Sequence, residues 1–267
     1  MNPISNEQLD SLPTEELIIR MDEFINDSFN ERNSHLPPNL FRLPNKLVSQ
    51  LICTQSVQSK SDEIKRKIAY LCFSYLIQSD LGLVNLGMTN LVLYSNFNES
   101  KWRSPLFRLN HAALTQYQIV ASRMAFEVFI DLLLVLETGE RIDAKKSKLK
   151  TFKKWLCQSK NPFNYFAHVL LIAYHFDREQ RTPEVHGTSK FPRKLLCLQT
   201  PSSEQQNNPL HLTNALTSAW DPLLDILNSR KPTQMQIPLD NDGWFTAFMS
   251  QDESKIEQEL EKLFQDI

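Results

Sequence analysis

LNHAALTQYQIVASRMAFEVFIDLLLVLET, residues 109–138, is the stretch on which the fold turns. It contains neither glycine nor proline and stops at Gly139, a residue that readily takes the left-handed conformation of a helix C-cap. Ile119, Val120, Met124, Phe126, Val128, Phe129, Ile130, Leu132, Leu133 and Leu136 cover most of a helical circumference. A helix that is apolar nearly all round belongs at the centre of its bundle. The pattern therefore predicts a long central helix with others packed around it.

Outward from that helix the chain keeps a helical period. Ser11 and the acids Glu15 and Glu16 frame the start of a helix over about 13–30, with Leu17, Met21, Phe24 and Ile25 as its apolar stripe. Prolines 37, 38 and 44 separate it from a short helix carrying Leu47, Val48, Leu51 and Ile52. Ser61-Asp62-Glu63 opens a third, with Ile64, Ile68, Leu71, Cys72, Tyr75 and Leu76 at spacings of three and four. Leu91-Val92-Leu93-Tyr94 could form a strand, but a strand without a partner makes no sheet. After Gly139 come a basic amphipathic helix over about 143–157 and another begun by Asn161-Pro162, with Phe163, Phe166 and Val169 inward. A polar loop over 199–209 precedes a helix carrying Leu212, Leu216 and Trp220, kinked or broken at Pro222. The tail from Asp252 is amphipathic through Ile256, Leu260, Leu263 and Phe264. It is too short to stand alone in water, so it must dock on the body or on a protein partner.

Composition agrees and excludes. Five glycines in 267 residues leave no supply for Rossmann loops, P-loops, sandwiches or barrels. Hydrophobic residues at 41% and charged residues at 22% exclude wholesale disorder. A net charge of −2 gives no global pull toward nucleic acid or membrane, so an anionic partner must be read from local patches. The four cysteines have no C-x-x-C pair and read as buried free thiols in a reducing compartment. No signal peptide or span of about 20 apolar residues is visible, so a soluble, cytoplasmic protein without membrane contact is expected. The expectation is an all-α multi-helix bundle with additional N- and C-terminal helices, one unit over 1–267. Its sub-regions are N-terminal helices at 1–100, a core bundle at 105–198 and C-terminal helices at 210–267.

Residues 178–187, REQRTPEVHG, carry the chemistry. Proline is tolerated at the first helical position and forces the residue before it into an extended conformation, so Thr182-Pro183-Glu184 reads as N-cap, N1 and N2 of a new helix. Arg181 then stands just before the cap and His186 four positions after it, the pair of positions that meet in a hydrophobic staple. A helix start offers free N–H groups and partial positive charge to a phosphate. The same field lowers the pKa of a histidine there and keeps it available as a base. Arg178, Lys190, Arg193 and Lys194 add positive potential nearby.

Arg181 and His186 form an R-x4-H that resembles the R-x4-6-H motif of the HEPN superfamily, compact helical bundles whose catalytic members are metal-independent ribonucleases. The likeness covers six residues and a helical context over about 105–228. It implies that Arg181 stabilises the charged phosphorane. It implies too that His186 assists proton transfer as an RNA 2′-OH attacks the adjacent phosphate, leaving a cyclic phosphate end. It also implies RNA as partner and a homodimer, since such sites are commonly composed across two subunits.

Two further constellations each admit two readings. Arg123, Glu127 and Asp131 lie at i, i+4 and i+8 on one face of the central helix, with Ser122 beside them. They are either ion pairs along a helix or a polar stripe lining a cleft, with Arg123 and Glu127 toward a substrate. Residues 141–154 set seven basic side chains against Asp143, with Leu149, Phe152 and Leu156 opposite. This is either a solvated face or a surface that tracks an RNA backbone. Without RNA chemistry, the alternative is a non-catalytic helical interaction or scaffold protein whose basic partner surface is 141–154. No metal site is expected, because no H-E-x-x-H or E-x-x-H is present and His168 and His175 stand two turns apart. Gly82-x4-Gly87 lacks the following Lys-Ser/Thr of a P-loop, and no cofactor is expected.

Overall fold

The computed structural model describes residues 4–35, 46–81, 103–142, 151, 155, 162–166, 169 and 215–234. Among these residues the structure is all helical, with no strand. Among the described residues seven α-helices have defined bounds: α1 (Asn6–Ser11), α2 (Thr14–His35), α3 (Val48–Ile52), α4 (Gln55–Gln58), α5 (Asp62–Asp80), α6 (Pro105–Thr138) and α7 (Trp220–Leu227), and residues 215–218 are helical as well. A 3-10 segment spans Pro162–Phe166.

The helix predicted over 109–138 is α6, and it starts four residues earlier. Ser104 caps it, its hydroxyl accepting from the Phe107 N–H, and Pro105 fills the first helical position where no N–H is needed. Gly139 ends it with φ 77°, its N–H returning to the Val135 carbonyl. That turn sends the chain back along the helix, so that Arg141 donates to Asp131, ten residues earlier, at 3.1 Å. Ile64 lies against Gly139, and Tyr75 packs on Phe129 with ring centroids 5.2 Å apart. The start of α5 therefore meets the end of α6, and the two helices run antiparallel.

Around that pair an aromatic chain ties distant segments together. Trp220 of α7 stacks on Tyr75, Tyr75 on Phe129, Phe129 edge-on to Phe166, and Phe166 leads through Phe163 to Trp155. All six are buried. Each such pair adds about 0.5–1.5 kcal/mol beyond the area it removes from water.

The N-terminal helices are joined to this core by polar clamps at helix ends. The Asp22 carboxylate of α2 accepts from the N–H groups of Val48 and Ser49 at 2.7 and 3.2 Å and so caps α3 from outside its own segment. Arg66 of α5 donates to the carbonyls of Leu9, Asp10 and Leu12 around the end of α1, at 2.8, 3.2 and 2.6 Å. Thr14 donates to Asp62 at 2.8 Å, pinning the start of α2 to the start of α5.

Several expectations are corrected. The helix expected over about 13–30 is preceded by a separate one, α1, whose start is a capping box between Ser5 and Gln8; Ser11 is its last residue rather than a cap for α2. Phe24 is not in the core: it is 47% exposed and rests edge-on against Phe73, while Ile18 takes the buried position. Cys72 is a buried free thiol, as expected, but Cys53 is exposed. The segment begun by Asn161-Pro162 opens as a 3-10 turn, with Phe163 and Phe166 inward. The break expected at Pro222 falls at Ala219, and Pro222 sits in the first turn of α7, where its missing N–H costs nothing. The carbonyls this break releases are not left bare. Buried Tyr75 donates its hydroxyl to Leu216 O, and Lys46 donates its ammonium to Thr217 O. No helix among the described residues is long and apolar enough to cross a membrane.

Candidate functional site

Arg181 and His186, with Arg178, Lys190, Arg193 and Lys194, lie outside the described residues, as do 82–102, most of 143–161, the loop over 199–209 and the tail from Asp252. Arg123 and Glu127 lie within them, on α6, and there the geometry is defined.

Arg123 and Glu127 are one turn apart, and the Arg123 Nε donates to Glu127 Oε1 at 2.8 Å. The guanidinium also lies 5.4 Å from the centroid of the Phe126 ring. Only 15% of the Arg123 side chain is exposed against 36% for Glu127, so the cation is held at the edge of the core rather than waving in water. The ion pair contributes a few tenths of a kcal/mol, and the ring roughly as much again or somewhat more. Asp131 is turned into the core, 1% exposed, and takes Arg141 from beyond the Gly139 turn. Ion pairing along the helix thus describes the first rung, whereas Asp131 ties down the chain that follows the helix.

The same helix carries other buried polar groups, Gln118 and Ser122, one turn apart, and each is engaged. His111 continues their side of α6 toward the N-terminus. Loss of hydration lowers its pKa from the ordinary 6.5 to about 4, so the ring is neutral throughout the physiological range. Lys46 is pushed down to about 8, because partial burial disfavours its charged form more than Asp221 favours it. Burial pushes the Cys72 thiol and the Tyr75 phenol well up, which makes both inert at neutral pH. Among the described residues no group of three or more His, Cys, Asp or Glu side chains could hold a metal ion.

The feature that the sequence reading missed is on the opposite face of α6. Leu106, Leu109, Tyr117, Val120 and Met124 are 66, 54, 65, 54 and 46% exposed. With the exposed Ala113 they fall at spacings of three and four, a single stripe about 27 Å long at 1.5 Å per residue. Val120 and Met124 had been expected in the core. The signal was available in the quoted stretch: a helix buried all round has no need of a second, separately phased apolar row. Comparison of the chain with protein-family models, with curated proteins and with solved structures finds no match.

Proposed function

We propose that this chain binds RNA and cleaves it without a metal ion, in the manner of HEPN ribonucleases, using Arg181 and His186 as a homodimer in the cytoplasm. The observation that carries the reading is the sequence 178–187, in which the placement of Pro183 predicts a helix boundary between the arginine and the histidine. The all-helical character of the described residues agrees with the compact helical bundle that the resemblance implies. In the reaction His186 accepts the proton of an RNA 2′-OH while the 2′ oxygen attacks the neighbouring phosphorus. The bond from phosphorus to the 5′ oxygen breaks, and that oxygen takes a proton from water or from the imidazolium. A 2′,3′-cyclic phosphate and a 5′-OH end result. Arg181 places a fork of donors on the equatorial oxygens as charge accumulates there. Arg178, Lys190, Arg193 and Lys194 hold neighbouring phosphates. Arg123, fixed by Glu127 and Phe126, adds a cation that loses little freedom on meeting substrate.

The test is incubation of the full chain with single-stranded RNA in EDTA, beside His186→Ala and Arg181→Ala. Cyclic phosphate ends from the wild type, reduced at least about a hundredfold in either variant, are expected. Equal cleavage by wild type and His186→Ala would defeat the assignment. Salt-sensitive binding without any cleavage would reduce the proposal to RNA recognition.

A further inference from the structure

The exposed stripe of α6 and the amphipathic tail beyond residue 252 are two incomplete structures with matching patterns. On the helix, Leu106, Leu109, Tyr117, Val120 and Met124 present apolar surface to water at a period of three and four. In the tail, Ile256, Leu260, Leu263 and Ile267 follow at spacings of four, three and four. Taken as a helix, these four would share one narrow face of about 17 Å, short enough to lie within the stripe. We infer that residues 252–267 dock as a helix along the 106–124 face of α6 of the same chain.

Three observations select this occupant. The first is charge. Asp252, Glu253, Glu257, Glu259, Glu261 and Asp266 face only Lys255 and Lys262 in the tail. Residues 104–126 contain no carboxylate, and Arg103 and Arg123 mark the two ends of the stripe. An acidic helix laid there meets no like charge until Glu127. The second is area. A stripe about 27 Å long and one side chain wide, roughly 10 Å, covers about 270 Å². That is well below the about 800 Å² per partner of a stable complex. A surface this small holds a tethered segment, whose effective concentration is in the millimolar range, far better than a free second copy. The third is reach. Seventeen residues, and so eighteen Cα-to-Cα steps, separate Gln234, the last described position, from Asp252. Fully extended they span about 60 Å, more than the about 50 Å breadth expected of a compact chain of this length.

The experiment is amide hydrogen exchange, resolved by peptide, on the full chain and on two variants, Leu260→Asp with Leu263→Asp, and Val120→Asp. Val120 is 54% exposed, so its replacement leaves the body folded, and unchanged exchange in α5 verifies this. In the wild type the 252–267 amides exchange at least about tenfold more slowly than an unstructured peptide. Either variant returns them to the unstructured rate, and the tail variant also speeds exchange in 106–124. Raising the salt from about 50 mM to about 500 mM speeds tail exchange several-fold. Unprotected tail amides in the wild type would overturn the inference, as would protection that survives Val120→Asp. Protection that grows with protein concentration alongside a doubled mass would assign the stripe to a second copy instead. None of these readouts depends on RNA, so the outcome is separate from that of the cleavage test.

Discussion

The two halves of α6 both carry apolar rows, the C-terminal half a far denser one, and the two meet opposite fates. From Ala125 to Leu136 the helix is surrounded: Phe126, Phe129, Ile130, Leu132, Leu133 and Val135 are at most 1% exposed. From Leu106 to Met124 it is divided, with Ala112, Gln118, Ile119 and Ser122 inward and the stripe outward. Composition sets part of the difference, and what stands beside each half sets the rest. The C-terminal half meets α5, the 3-10 segment and, through Tyr75, α7, so only the side of Glu127 and Val128 stays partly open. The lesson is that hydrophobicity says how much surface a helix seeks to bury, whereas neighbours decide how much it does bury.

The sharpest way to break this comparison is to cut the same kind of group from each half. Phe129→Ala removes a ring that touches both Tyr75 and Phe166, and should cost about 3–5 kcal/mol in denaturant unfolding. Met124→Ala, on the exposed stripe, should cost less than about 1 kcal/mol, and more only as far as the docked tail adds burial. Equal losses at the two sites would show that the halves are not energetically distinct.

A smaller contrast lies in their response to acid. His111 belongs to the N-terminal half, and its folded pKa of about 4 lies below the unfolded 6.5. As pH falls through 6.5 the unfolded chain takes up a proton that the native ring refuses, so stability is lost between about 6.5 and 4. The full shift corresponds to about 3 kcal/mol, reduced to nearer 2 because the ring is only partly buried. His111→Gln should flatten the fall in melting temperature over that interval. Lys46 acts at the other end of the scale. Its folded pKa of about 8 lies below the unfolded 10.5, so its contribution to stability rises with pH between them.

Local grammar carried most of the fold into view, and long-range closure did not. Ser61 before two acids, and glycine after thirty residues of helix, mark boundaries that the structure keeps at Asp62 and Thr138. These signals act within one helical turn. What stayed hidden depends on residues far apart: Asp22 capping α3, Tyr75 and Lys46 meeting carbonyls more than 140 residues away, and Phe24 yielding its place to Ile18. The capping box of α1 is legible in Ser5 and Gln8, but a six-residue helix with no buried residue adds no apolar period to that signal. For the site, i to i+4 spacing foretold the bond between Arg123 and Glu127. It could not foretell that Arg141 would claim Asp131, because that follows from the turn at Gly139.

The ends of α6 give the finest contrast. At the C-terminus Gly139 has φ 77°, and a Cβ there would stand 3.1 Å from Ile64 Cδ1. Gly139→Ala therefore incurs left-handed strain of about 1–2 kcal/mol, with a further increment as Ile64 gives way. Because the same turn delivers Arg141 to Asp131, Arg141→Ala in that background should add little once the turn has shifted. At the N-terminus the Ser104 hydroxyl is 3.5 Å from the Phe107 N–H, at the limit of a hydrogen bond and exposed to water. Ser104→Ala should cost only about 0.5 kcal/mol, the low end for such caps, since water can satisfy the same N–H. A cost at Ser104 equal to that at Gly139 would mean that the N-terminal end is held as tightly as the other. The loose half of α6 would then be loose only on its outer face.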